Sequence, residues 1–242
     1  MKKAIMIVLF IMLASFLVQA EDMDKYLSDT QDLVEEGKYQ EALKRFQWFH
    51  DHALEHEPAM YGVRLSFALS YWKKLGDKYL PALNAIKKTR DHKTDLVAQG
   101  KGDRNLFADV MAINRTLEED TKTVELFRKL DLNYEDMAKQ CWNIAKSPVI
   151  KAKAYDLAGK YIEDFEQEFV ILKKRYDRNK EMYKEKKFGE HFKTFSDNRF
   201  VETTIQLIDV AIALGKEKVA KQIQSEALEI LDDNRLKDAI SE

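Results

Sequence analysis

The chain has 242 residues, with 40 Lys and Arg against 42 Asp and Glu, a formal net charge of −2 and one cysteine. So even a balance excludes a general nucleic-acid binder, which carries a clear basic excess. A lone Cys141 excludes an intrachain disulfide, so packing must hold the fold. Eight glycines and three prolines leave little turn material for a many-stranded protein.

The first element in chain order reads as a secretory signal peptide over residues 1–20. Lys2 and Lys3 form a basic start, Ala4 to Val18 carries no charge, and Val18-Gln19-Ala20 precedes Glu21 and Asp22. A small residue at that point is a cleavage signal. The apolar run falls short of the roughly 20 residues of a spanning helix. The expectation is cleavage after Ala20, a bacterial-type export route to the periplasm or the medium, and no stable membrane span afterwards. An uncleaved anchor is the alternative. Removing Lys2 and Lys3 takes the basic residues from 40 to 38 against 42 acidic. Residues 21–242 then form one domain.

Apolar residues in that domain recur at steps of three and four, the period of one helix face. The steps run through Tyr39, Ala42, Leu43, Phe46, Phe49 and Ala53, then through Tyr61, Leu65, Ala68, Leu69, Trp72 and Leu75. The spacing predicts helices over 23–36, 39–56, 58–75, 79–98, 103–119, 121–130, 134–146, 148–158, 160–187, 199–214 and 216–232. That is an all-α chain of about 10–12 helices. Gly37, Gly76, Gly159 and Gly215 are read as helix ends, where glycine takes positive φ. Pro58 and Pro148 are read as first-turn prolines, and Asp103 and Asn133 as N-caps. Gln99 to Gly102 and Phe188 to Asn198 are the expected loose segments. Gly37 to Gly76 spans 39 residues and Gly76 to Gly159 spans 83, a recurrence expected of a solenoid of helix hairpins.

Gly37-Lys38-Tyr39-Gln40-Glu41-Ala42 followed by Phe46 resembles the turn and second helix of a tetratricopeptide repeat. Leu75-Gly76-Asp77-Lys78-Tyr79-Leu80-Pro81-Ala82 with Ile86 is a second pass, one residue longer in the turn. Leu214-Gly215-Lys216 with Ala220 and Ala227 is a third. Ala158-Gly159-Lys160-Tyr161 repeats the turn with Asp164 where the family places alanine. The match covers roughly residues 24–90 and 202–231; between 103 and 147 only period and amphipathicity remain. The resemblance implies stacked antiparallel hairpins in a right-handed solenoid, with a concave groove that receives a peptide or protein segment. It places Asp24, Leu27, Gln31 and Val34 on the groove in the first hairpin, and Val63, Ser66, Ser70 and Lys73 in the second. The basic cluster by which some family members clamp a C-terminal carboxylate is absent from these positions.

Two constellations carry other chemistry. His52-Ala53-Leu54-Glu55-His56 has the H-x-x-E-H spacing by which two histidines of one helix share zinc and a glutamate activates water. It ends its helix at Glu57-Pro58, and no third ligand can be singled out, so solvated side chains near a helix end are the preferred reading. His50 points to another face. From Lys173 to Lys193 there are nine basic and four acidic residues interleaved with Tyr176, Tyr183, Phe188 and Phe192. Lys173, Lys174, Arg175, Lys184, Lys186 and Lys187 could hold an anionic envelope component, against the plainer reading of a solvated helix with lysine stems on apolar surface.

Cys141 reads as a small buried hydrophobe. Asn114-Arg115-Thr116 fits a glycosylation acceptor but falls in a predicted helix. Gly100-Lys101-Gly102 lacks the spacing of a phosphate loop, and there is no Gly-x-Ser-x-Gly or Cys-x-x-Cys. The expectation is a non-catalytic binding protein with a protein or peptide partner, without cofactor, metal or nucleic acid.

Overall fold

The computed structural model describes residues 22–185 and 188–240. The expected signal peptide, Lys186 and Lys187 lie outside the described residues. No strand occurs among them, and no helix among them is long and apolar enough to cross a membrane. The chain divides between Glu119 and Asp120 into two compact units.

The first unit holds α1 (Met23–Glu35), α2 (Tyr39–His56), a 3-10 turn over Pro58–Met60, α3 (Tyr61–Arg64), α4 (Phe67–Lys78), α5 (Leu80–Ala98) and α6 (Arg104–Thr116). Asp22 starts α1 by accepting the Lys25 amide at 3.0 Å, a cap worth about 1 kcal/mol. Gly37, at φ +77°, ends it, and Lys38 N–H donates to the Leu33 carbonyl at 2.9 Å. That closure needs a left-handed residue and fits glycine. The resulting turn folds α2 back on α1; α4 pairs with α5 and α5 with α6 in the same way, while α2 and α6 both pack on α4. Phe46, Phe49, Trp72, Ile86, Phe107 and Ile113 fill the centre. The small residues Ala42, Ala68 and Ala82 are all buried.

The second unit holds α7 (Asp120–Asn133), α8 (Glu135–Lys151), α9 (Tyr155–Tyr161), α10 (Phe165–Lys184), α11 (Glu190–Ala213), α12 (Glu217–Ile230) and the single turn α13 (Asn234–Lys237). Helices α7 and α8 pair, α10 and α11 pair, and α11 also packs on α8, α9, α12 and α13. Gly215, at φ +71°, closes α11 as expected.

Several expected boundaries fall elsewhere. The segment 58–75 is not one helix: it breaks at Leu65 and Ser66, where Ser66 has φ −132° and ψ −87°, and resumes as α4 through Gly76 to Lys78. Gly76 is a contact glycine, since a Cβ there would stand 3.1 Å from the Leu83 backbone across the α4–α5 pair. Gly159 lies inside α9, where a Cβ would meet the Leu214 side chain at 2.7 Å. Helix α8 runs through Pro148 to Lys151. The proline cannot donate to the carbonyl four residues back, but it is buried together with Val149 and Ile150. Asn133 ends α7 instead of capping α8, donating its side-chain amide to the Lys129 carbonyl at 2.9 Å. The stretch 188–198 is helical from Glu190 onward. Asp103 does cap α6, accepting the Leu106 amide at 2.8 Å.

Candidate functional site

The first unit carries a cleft of about 390 Å³ between α1, α2 and α4, within the size range of ligand sites. Helix α1 contributes Gln31, Val34 and Glu35; α4 contributes Tyr71, Lys74, Asp77 and Lys78; Phe46 of α2 belongs to the same wall. Tyr71, Lys74 and Lys78 follow each other at steps of three and four, one stripe of α4. The Lys74 ammonium stands 5.6 Å from the Tyr71 ring centre.

Helix α1 is held at the cleft by Arg45. Its guanidinium lies 3.9 Å over the Tyr26 ring, donates Nε–H to Thr30 Oγ1 at 3.0 Å and Nη2–H to the Tyr26 carbonyl at 3.1 Å. Trp48 of α2 packs on the other partner of this contact, with 4.8 Å between its ring centre and that of Tyr26. A cation over an aromatic face contributes about 0.5–1 kcal/mol where it is exposed, and more where it is desolvated.

Of the groove positions expected from the sequence, Gln31 and Val34 line this cleft, and Leu27 is buried in the core. Ser66, Ser70 and Lys73 stand outside its wall. Ser66 sits at the break before α4 and donates its hydroxyl to the Gly62 carbonyl at 2.6 Å. Lys73 pairs with Asp77 on its own helix. The cleft is met instead by Tyr71 and Lys74, one position further on along α4.

The first unit also holds a buried polar cluster that joins four helices. Arg64 of α3 binds both oxygens of Asp109 of α6, the Nη1 contact measuring 3.2 Å, and also donates to the His50 carbonyl at 3.0 Å. Lys93 of α5 donates to Asp109 Oδ2 and stands 3.0 Å from His50 Nε2. Facing an ammonium, Nε2 accepts, which puts the imidazole proton on Nδ1; that atom is buried and has no partner among the described residues. Burial, then the charges of Lys93 and Arg64, outweigh Asp109 and push the His50 imidazole down to about 3. For Asp109, burial alone would raise the carboxyl, but the hydrogen bond and charge of Arg64, joined by Lys93, hold it below the ordinary carboxylate range. A second buried arginine, Arg90 of α5, donates to Asn114 Oδ1 at 2.9 Å and to Glu119 Oε2 at 2.6 Å. Asn114 is itself buried, which closes it as a glycosylation site.

This cluster makes the protein acid-sensitive. His50 titrates near 6.5 when unfolded and only near 3 when folded, so below pH 6.5 the unfolded chain takes up a proton that the folded one refuses. Stability is unaffected by this group above about pH 6.5 and falls by up to about 1.4 kcal/mol per unit toward pH 3. Asp109 adds its own loss only below its unfolded value of about 3.9. Urea midpoints measured from pH 7 to pH 4.5 are expected to drop for the wild type and to flatten in His50→Gln. A wild-type profile already flat over that range would mean that His50 is hydrated.

The H-x-x-E-H string lies at the end of α2. His52 Nδ1 is 3.3 Å from the Glu55 carboxylate, and the His52 and His56 rings lie 5.5 and 5.2 Å from the Trp48 ring. Among the described residues, no group of three or more His, Cys, Asp or Glu side chains could hold a metal ion. The expected basic surface is split between α10 and α11. Lys184 pairs with Glu181 at 2.8 Å and Lys193 with Asp197 at 3.0 Å, whereas Lys173, Lys174 and Arg175 are exposed on α10. Exposed pairs of this kind contribute about 0–1 kcal/mol. Cys141 is fully buried in α8.

Sequence reasoning missed Arg64, Lys93 and Asp109 of the cluster and Glu35, Tyr71, Lys74, Asp77 and Lys78 of the cleft. A usable signal existed for some of them: Arg64 falls between Met60 and Ala68 at steps of four, and His50 lies four after Phe46, so each occupies a core register. No family model matches the chain, and comparison with curated proteins and with solved structures gives no significant match.

Proposed function

We propose that this chain is an exported, non-catalytic protein of tetratricopeptide-like helix hairpins that binds a peptide segment of a protein partner in the cell envelope or outside the cell. The cleft between α1, α2 and α4 carries the reading. Its wall combines Val34, Phe46 and Tyr71 with charges of both signs, Lys74 and Lys78 beside Glu35 and Asp77. Apolar and aromatic lining with a few orienting polar groups is the usual make-up of a recognition site. Export rests on the basic start, the uncharged run from Ala4 to Val18 and the Ala20–Glu21 junction. The hairpin array rests on the Gly37 and Gly215 turns and the buried Ala42, Ala68, Ala82 and Ala220.

Photo-crosslinking in cells tests both halves together. A crosslinking residue at Tyr71 is expected to give one discrete adduct in the envelope fraction, on a chain whose N-terminus is Glu21. The same residue at Lys88, exposed on α5, is expected to give none, and adding Gln31→Arg is expected to remove the Tyr71 adduct. Equal adducts from both positions, or none from Tyr71, would sink the cleft as the binding surface. An adduct beginning at Met1 in the membrane pellet would replace secretion with anchoring.

A further inference from the structure

The second unit contains an open pocket of about 380 Å³ between α8, α10 and α11. Its charges do not cancel. Lys146 of α8 forms an ion pair with Glu168 of α10, and both side chains are largely buried. The remaining two cationic side chains on the wall, Arg175 of α10 and Arg199 of α11, are solvent-exposed and form no ion pair with any carboxylate among the described residues. The same two arginines also line a small continuation of about 20 Å³ toward Tyr176 and Phe200. The two therefore share one pocket from adjacent helices. An anion lodged between them would accept from both guanidinium forks.

The rest of the wall limits what the anion can be. Ile150, Leu172 and Leu207, one from each helix, give the pocket an apolar side, which a fully polar ion would leave unmatched. A pocket of this volume lies at the lower end of the range for small-molecule sites. We propose that this pocket binds a small amphipathic organic anion, its charged head between Arg175 and Arg199 and its apolar body against Ile150, Leu172 and Leu207. The site is separate from the cleft proposed for a peptide, and neither proposal depends on the other. It also differs from adhesion through the whole 173–193 stretch, because Lys173 and Lys174 take no part in the wall.

Calorimetric titration of the mature chain with octyl phosphate and with octanoate, both below their micellar concentrations, tests the assignment and separates a phosphate head from a carboxylate. At least one of the two is expected to bind. Arg175→Gln and Arg199→Gln are each expected to weaken that binding at least about tenfold, the loss of a charge-assisted hydrogen bond. The double variant is expected to abolish it, with circular dichroism unchanged. Octanol and inorganic phosphate are expected to bind at least about tenfold more weakly than the octyl anion, since each supplies only half of the match. Lys173→Gln with Lys174→Gln is expected to leave affinity within about twofold, since neither side chain lines the wall. The proposal is overturned if neither octyl anion binds, if the double arginine variant binds as well as wild type, or if inorganic phosphate binds as tightly as octyl phosphate. A loss in the lysine pair equal to that in the arginine pair overturns it too, in favour of a diffuse charged surface.

Discussion

Asp109→Ala is expected to destabilise the protein by about 3–5 kcal/mol, the usual cost of removing one partner from a buried ion pair. Asp109 is 4% exposed and Arg64 6%, so the guanidinium left behind cannot recover its lost partner from bulk water. Lys93, only slightly more accessible, loses the same carboxylate. Asp109→Asn is expected to cost nearly as much, because the amide keeps the shape but supplies no charge to offset two cations. The informative comparison is Arg64→Met with Asp109→Leu. Replacing both partners by apolar side chains of similar volume removes the Arg64 charge along with the pair, leaving only Lys93 without its carboxylate. The double variant is therefore expected to be more stable than Asp109→Ala alone, although it changes more atoms. Chemical unfolding followed by circular dichroism gives all three values. If Asp109→Ala costs under about 1 kcal/mol, the cluster is hydrated and contributes little to holding α3, α5 and α6 together.

The helical class was legible because it is local. Steps of three and four along 39–53 and 61–75 depend on nothing beyond the next turn, and Gly37, Gly215 and Asp103 act within a few residues of themselves. The misread positions are those where one residue type serves two physical purposes. Glycine marks a left-handed helix end at Gly37 and a close helix–helix approach at Gly76, and the sequence looks alike in both places. Pro148 looks like a helix start, yet its missing hydrogen bond is tolerated once the ring is buried. The cluster of His50, Arg64, Lys93 and Asp109 depends on contacts 14 to 45 residues apart, which no local period encodes. Its trace is only a set of polar residues at core registers. The cleft was half legible for a related reason. Gln31 and Val34 lie on an unbroken helix, so their register could be counted from the sequence. Tyr71 and Lys74 were missed because the resemblance set Ser66, Ser70 and Lys73 on the groove, one position short of the stripe of α4 that meets the cleft.

Trp72→Ala is expected to cost about 3–5 kcal/mol, as for other large aromatics removed from a core. Trp72 is 1% exposed and is the largest of the fully buried side chains. Its indole N–H donates to the Ala82 carbonyl at 3.1 Å, and its ring meets the edge of His50 at 6.1 Å. It thereby ties α4 to the first turn of α5 on one side and to α2 on the other. Trp72→Phe keeps much of the packing but loses the hydrogen bond and part of the volume. An intermediate cost of about 1–2 kcal/mol is expected there, so the two variants separate packing from hydrogen bonding. The substitution also reaches the cleft, because Tyr71 is the adjacent residue on the same helix, and the ring buried at 72 fixes how far α4 can rotate. Trp72→Ala is accordingly expected to weaken crosslinking from position 71 under conditions where the chain remains folded, while Trp72→Phe preserves it. A cost below about 1 kcal/mol for Trp72→Ala would place the indole at the surface and remove the anchor that orients Tyr71 and Lys74 toward the cleft.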